Sequence, residues 1–505
     1  MRSVDTRPLA GGGNGARPML AADRGGFVDR HGLWTDKQYA AAAQIRRVMD
    51  EVGIELVRFA FVDQHGVLRG KTITRDAVPG VLRSGVTAPS SLMLKDTSGR
   101  SAFEVFSGET GVGVDGFSGA GDIVLVPDPS TFRVLPWAPR TGWILCDLRF
   151  PDGRPVPFCP RSILRGQLDR LAAHGFELTA GPELEFHVFK ATDGAMTLER
   201  TNVPGAPGKP AEVEATSAGS QLLHEESLDT LDEVVQLLHD GLTRLDLPLR
   251  SIEMEFGPSQ MEITLAPTDA MQTADNVVLA RSAIRQICRR NGYHATFMAK
   301  PVGAAVASTG WHLHQSLRRL DNGTPVFPGG DGDSVLSSVG SHYLAGLLEH
   351  ASAATAFSTP TVNGYKRYAP YSLAPDAIVW GLDNKGAMVR VVGRCGDPNT
   401  RLENRSGEPA ANPYFYLAAQ VISGLDGIVR GLHPGAPTND PYEPGAQRLP
   451  RSLGAAIDAL EADEVFRAAL GTEVVEWYST IKRAEFARYL GYVSDWEQRE
   501  YFGLF

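Results

Sequence analysis

Cysteine is scarce in this chain. Four residues, Cys146, Cys159, Cys288 and Cys395, are spread over 505 with no close CxxC pair, which excludes a disulfide framework. Cys146 and Cys288 lie in apolar runs and read as buried thiols. No apolar stretch reaches about 18 residues, so no membrane-crossing helix is expected. The polar, Gly-rich N-terminus lacks a signal-peptide core, and a cytoplasmic protein without a membrane partner is the expectation. Basic residues are outnumbered: 49 Lys and Arg against 59 Asp and Glu leave a net charge of −10, which argues against a nucleic-acid partner. With 54 Gly and 33 Pro the chain also falls below the roughly 25–30% that marks low complexity. What remains is a folded protein large enough for a substantial core.

Residues 1–30 read as a disordered leader, rich in Gly with little apolar periodicity. Val57–Asp63 is strand-like, Gln64-His65-Gly66 turns the chain back, and Ile123–Val126 is another β run. Pro160 to Gly175 reads as a helix, with Pro near its start and Gly past its end. Residues 270–291 form a second helix and the chain from Ser452 reads as helical. The expected fold class is α+β, with a small β-rich domain over 38–150 and a large one over 155–505.

Acidic and imidazole side chains interrupt otherwise apolar strands. In Gly181-Pro-Glu-Leu-Glu-Phe-His187, Glu183 and Glu185 share a strand face about 7 Å apart and repel unless a cation sits beside them; a solvated face is the other reading. Glu255 and Glu262 are seven apart, on opposite faces of an unbroken strand, but Gly257-Pro258-Ser259 is a turn signal that lifts the parity rule. His312 and His314 share a face; a lone His is more often structural, whereas a pair near clustered Glu fits a site. Arg401, Glu403 and Arg405 alternate along one face, either as a surface ion ladder or as guanidiniums around a metal-bound carboxylate. Oxygen-rich ligands with one imidazole suit Mg²⁺ or Mn²⁺ better than Zn²⁺.

From about residue 55 to the C-terminus the sequence resembles the glutamine synthetase family. The resemblance rests on Gly181-Pro-Glu-Leu-Glu-Phe186, Glu255–Glu262, Ala295-Thr-Phe-Met-Ala-Lys-Pro301, Gly310-Trp-His-Leu-His314, Asn363-Gly-Tyr-Lys-Arg367 and Arg401-Leu-Glu-Asn-Arg405. It implies an N-terminal β-grasp domain and a C-terminal catalytic domain with a curved antiparallel sheet and flanking helices. It implies two to three Mg²⁺ or Mn²⁺, with Glu185, Glu255 and Glu262 on one ion and Glu183, His312 and Glu403 on another. ATP and L-glutamate are the implied substrates. His314, Arg390, Arg401 and Lys385 match the nucleotide side, Arg367 and Arg405 the glutamate side, and Asp122 an aspartate given to the neighbouring subunit. The implied assembly is a homo-oligomer, a dodecamer of two hexameric rings, and the implied setting is nitrogen metabolism.

The sequence departs from that family at the nucleophile pocket. Ammonia-using members carry a Glu six residues after the last arginine of the Asn-x-Tyr-Lys-Arg motif, where this chain has Leu373. The ammonium-site aspartate motif is missing, and Asp96 is the nearest substitute. A phosphate-facing arginine is Lys385, which keeps the charge but loses the fork, and a usual Asn is Ala307. The expected activity is therefore ligation of glutamate to an organic amine (a polyamine, ethanolamine or an alkylamine) by way of γ-glutamyl phosphate. Glutamine synthesis from ammonia and a catalytically silent scaffold are the alternatives.

Overall fold

The computed structural model describes residues 24–194, 197–301, 307–330, 334–369 and 373–505. Near the N-terminus, strands β1 (Leu56–Val62), β2 (Leu68–Thr74), β3 (Val86–Pro89), β4 (Asp122–Pro127), β5 (Arg133–Val134) and β6 (Thr141–Arg149) form one sheet. Its order is β2-β1-β6-β4-β3, with β5 on β6, and β1 runs parallel to β6. The β1–β2 hairpin is tight because Asp63 accepts from the amides of His65 and Val67 and from Arg69, while Gly66 takes φ 73°, a conformation that favours glycine. The helix Asp36–Val52 starts at a Thr35–Gln38 capping box and stops at left-handed Gly53.

The expected disordered leader 1–30 is corrected at its end. Residues 26–30 are a short helix, because Phe27 and Val28 bury against Val124 and Val126 of β4. Residues 1–23 lie outside the described residues.

The second sheet has ten strands: β7 (Phe176–Ala191), β8 (Val213–Glu214), β9 (Leu249–Met254), β10 (Gln260–Leu265), β11 (Thr268–Asp269), β12 (Tyr293–Thr296), β13 (Trp311–Arg319), β14 (Trp380–Leu382), β15 (Val389–Val392) and β16 (Arg401–Gly407). The main path is β14-β15-β16-β13-β7-β10-β9, antiparallel except for β14–β15. Leu184, Phe186 and Val188 of β7 are fully buried on the core side. The helices Pro160–Ala173 and Ala270–Arg290 lie where the sequence places them, and a third, Pro413–Arg430, joins them; Asp269 and Asn412 cap the second and third, and left-handed Gly431 ends the last. The α+β expectation holds, and the chain from Leu453 is four helices.

A buried ion cluster joins the two sheets. Arg161 reaches Asp128 at 2.8 Å and Asp147 at 3.2 Å near the first sheet, and Asp275 at 2.9 Å on the helix Ala270–Arg290. Tyr414 donates to Asp275 at 2.6 Å. A second buried cluster centres on His350, which bridges Asp463 at 2.7 Å and Asp426 at 2.9 Å. Burial alone would lower the His350 pKa; the hydrogen bonds and charges of Asp463 and Asp426 outweigh it and raise it.

His350 carries a pH prediction. Its folded pKa lies above the unfolded value of about 6.5, so its stabilisation is fully present below that value and is lost as pH rises through the folded pKa. Thermal melts from pH 6 upward are expected to show a decline that His350→Gln flattens; parallel curves for the two proteins would remove the assignment.

Candidate active site

Strand register brings the predicted residues onto one face. Glu183 of β7 pairs with His312 of β13, and Glu185 pairs with Glu262 of β10. On the far side of β13, His314 pairs with Glu403 of β16, which pairs with Arg390 of β15. Glu255 joins them through a fold-back. Glu253 of β9 lies opposite Glu262, and Glu255, two residues on, is on the same side at the mouth of the β9–β10 turn. Seven residues that would place two carboxylates on opposite faces of one strand place them together in a hairpin.

The contacts are close. His314 Nε2 donates to Glu183 at 2.8 Å, and its Nδ1 accepts from Arg401 Nε at 3.0 Å, which selects the Nε2–H tautomer. His312 lies 3.4 Å from Glu183, 3.6 Å from Glu185 and 3.9 Å from Glu403. Glu403 is fully buried and takes ion pairs from Arg405 and from Arg390, the latter at 3.0 Å. Glu185 accepts from Gln260 Nε2 at 2.7 Å and from the Gly310 amide at 3.0 Å.

Electrostatics divides the carboxylates. Burial, then the Glu255 charge, pushes Glu185 up to about 8, and burial, then Glu185, pushes Glu262 up to about 10. Burial also raises Glu255. Glu183 and Glu403 would rise by burial too, but hydrogen bonds from His312 and His314 hold Glu183 well below the usual range, and Arg405 first among the cations holds Glu403 down. Carboxylates forced up by one another on a buried face are the environment that a divalent cation relieves. The donor chemistry thus fits Mg²⁺ or Mn²⁺. Two triads have donor atoms within 4.8 Å of one another: Glu183, His314 and Glu403, and Glu183, Glu262 and His312. Glu183 belongs to both, His314 takes part, and Glu185 and Glu255 stand outside, a division unlike the one the resemblance implied.

The other predicted residues fall into three groups. Arg367 and Arg405 are buried and close enough to Glu185 to oppose the rise of its pKa, and Arg405 Nε is buried with no hydrogen-bond partner among the described residues. Lys385 is exposed and acts on Glu255. His314 and Arg401 line a cavity of about 650 Å³ that also exposes Arg250, Arg318, Ser316 and Asn399. Leu373 is 60% exposed and takes φ 59°, rare for a side chain of its size. Asp122 is exposed at the first position of β4, on the other sheet.

Asp96, expected at the amine pocket, is buried, with one oxygen taken by Ser98 and the Arg100 amide and the other 3.2 Å from Arg488. Its charge holds a turn and the C-terminal helix Thr472–Leu490. Sequence reasoning also missed Gln260, Glu253 and the two cavity arginines. Only Glu253 had a local signal, the second Glu-x-Glu pattern at 253–255.

Residues 157–501 match the family profile described as glutamine synthetase, catalytic domain. The chain is 42% identical over 495 residues to γ-glutamylanilide synthase of Acinetobacter sp, covering 95% of this chain and 99% of that protein. It is 31% identical to the glutamine synthetase of Methanosarcina mazei, covering 93% and 99%. A solved GmaS/ADP complex superposes with a TM-score of 0.76 at 30% identity, over 91% of this chain and 99% of that one.

Gly310 supplies the prediction for this site. A Cβ there would meet Arg367 Nη2 at 2.9 Å, His312 Nε2 at 3.1 Å and Glu185 Oε1 at 3.4 Å. Gly310→Ala is expected to weaken Mn²⁺ binding about 10–100-fold, read by calorimetric titration, with an unchanged circular dichroism spectrum. Wild-type affinity in that variant would show that the close approach has no role in holding the ligands.

Proposed function

The chain belongs to the glutamine synthetase family and is an ATP-dependent ligase that joins glutamate to an amine, and we propose that its amine is an organic one of the aromatic class. The observation that carries this is Leu373. A glutamate at that position would attract an ammonium or alkylammonium ion and accept its proton; leucine does neither. An aromatic amine is uncharged near neutral pH because its lone pair is delocalised into the ring, so it needs no carboxylate. Polyamines, ethanolamine and alkylamines, the organic amines expected from the sequence, are cations there, and Leu373 offers them no carboxylate. The name of the Acinetobacter relative points the same way, since an anilide is the amide of an aromatic amine.

The chemistry follows from the residues assembled. Arg405 and Arg367 orient glutamate, with the unpartnered Nε of Arg405 available to an anionic group. His314 and Arg401 meet the nucleotide in the cavity of about 650 Å³. Arg390 and Lys385 offset charge on the moving phosphoryl group. A γ-carboxylate oxygen attacks the γ-phosphorus of ATP and ADP leaves. The amine nitrogen then attacks the acyl carbon, phosphate departs, and the nitrogen loses its proton to it. Glu183, Glu185, Glu255, Glu262, His312 and Glu403 would hold two Mg²⁺ or Mn²⁺. When bound, these ions neutralise and orient the phosphates.

The same reading takes 38–150 as a β-grasp domain and 155–505 as the catalytic domain. Asp122 serves a neighbouring subunit in a ring, for which its exposure and that of Trp496, Phe502 and Phe505 at the C-terminus are the support. The cytoplasm is proposed from the four free thiols, three of them buried. No described helix is long and apolar enough to cross a membrane.

Phosphate release from ATP with glutamate and Mg²⁺ is the test. Aniline is expected to support turnover at least about tenfold above ammonium, methylamine or spermidine, roughly 1.4 kcal/mol in the barrier. Leu373→Glu should raise ammonium use relative to aniline. Equal rates with ammonium and aniline in the wild type would sink the aromatic reading; an unchanged preference in the variant would take Leu373 out of it.

A further inference from the structure

A second cavity, of about 510 Å³, shares no lining residue with the nucleotide cavity. It lies between the β1–β2 turn, the helix Ala270–Arg290 and the chain leaving β12. Arg281, Arg285, Lys482, His65 and His294 line it, and among the described residues no carboxylate does. The carboxylates around it are already paired. Asp63 is 2.7 Å from Arg69, Glu485 is 3.1 Å from Lys482, and Glu408 accepts from the Thr361 amide and hydroxyl.

Two of the cations, Arg281 and Arg285, make no ion pair among the described residues. Arg281 is buried and donates to the carbonyls of Pro409 and Ala411 at 2.7 Å and of Gly66 at 3.0 Å, none of which carries a formal charge. Arg285, one helical turn on, is exposed and has no ion pair among the described residues. Burial, then Arg285, pushes the Arg281 pKa down to about 10, with Asp63 and Glu408 acting against the shift. A second observation points to a ligand. His65 Nε2 donates to the Lys95 carbonyl at 2.9 Å, which leaves Nδ1 as an acceptor, and that atom is buried without a partner among the described residues. Phe297, Met298, Val67 and Pro360 add apolar wall.

We infer that this cavity binds a small organic anion, with a carboxylate or phosphate head on Arg281 and Arg285, an O–H or N–H donor to His65 Nδ1, and an apolar body against Phe297 and Met298. The site ties the β1–β2 turn to the segment that runs on to Lys300, whose amide is held by Asn363 at 2.7 Å, four residues before Arg367. The site is separate from the ligase reaction, whichever amine that reaction uses.

Equilibrium binding to the full-length protein tests this with three probes: 3-hydroxybenzoate, benzoate and phenol. The expected order is 3-hydroxybenzoate tightest, benzoate several-fold weaker, and phenol at least about tenfold weaker for want of the charge. Arg285→Ala should weaken 3-hydroxybenzoate about tenfold and leave Mg²⁺-dependent ADP binding unchanged, while Arg285→Lys stays near wild type. Arg401→Ala should weaken ADP and spare 3-hydroxybenzoate. Absence of saturable binding, binding insensitive to Arg285→Ala, or displacement by ADP or glutamate would each overturn the assignment.

Discussion

Like charge held together on a buried sheet face is the constraint on which this molecule depends. Glu185 lies directly opposite Glu262, with Glu183, Glu255 and Glu253 on the same side. Each would prefer water, and together they repel. Hydrogen bonds from Gln260 and Gly310, imidazoles at His312 and His314, and guanidiniums at Arg390 and Arg405 keep the face in place. On the core side of β7, Leu184, Phe186 and Val188 are buried, and apolar burial of about 25 cal/mol per Å² offsets part of what the polar face costs.

The rest of the architecture secures that face. Arg161 and its three aspartates join the first sheet to the helices behind the second. Such a cluster is weak evidence of net stability, but removing one partner from a buried pair costs about 3–5 kcal/mol, which makes the relative placement of the sheets specific. That placement also creates the cationic cavity beside the β1–β2 turn, where Gly66 lends its carbonyl to Arg281.

On the proposed amine side the chemistry is carried by what is missing. Leu373 offers no charge, and Asp96 is taken by Arg488. The first was legible in the sequence, because the motif containing Arg367 fixes the position. The second was not, because Arg488 lies 392 residues away and nothing near Asp96 announces it.

By itself the sequence determined what is local. Caps at Thr35, Asp269 and Asn412 set helix starts, Gly53 and Gly431 set ends, and period-two spacing placed Glu183 with Glu185 and His312 with His314. These features follow from backbone geometry within a few residues. Tertiary structure alone decided that Glu255 and Glu262 share a face, that Glu183 belongs to both donor triads, that Asp96 pairs with Arg488, and that Arg281 is buried with no ion pair among the described residues. Each depends on which strand or helix arrives opposite. That is fixed by burial summed over the whole chain, a quantity that no local pattern carries.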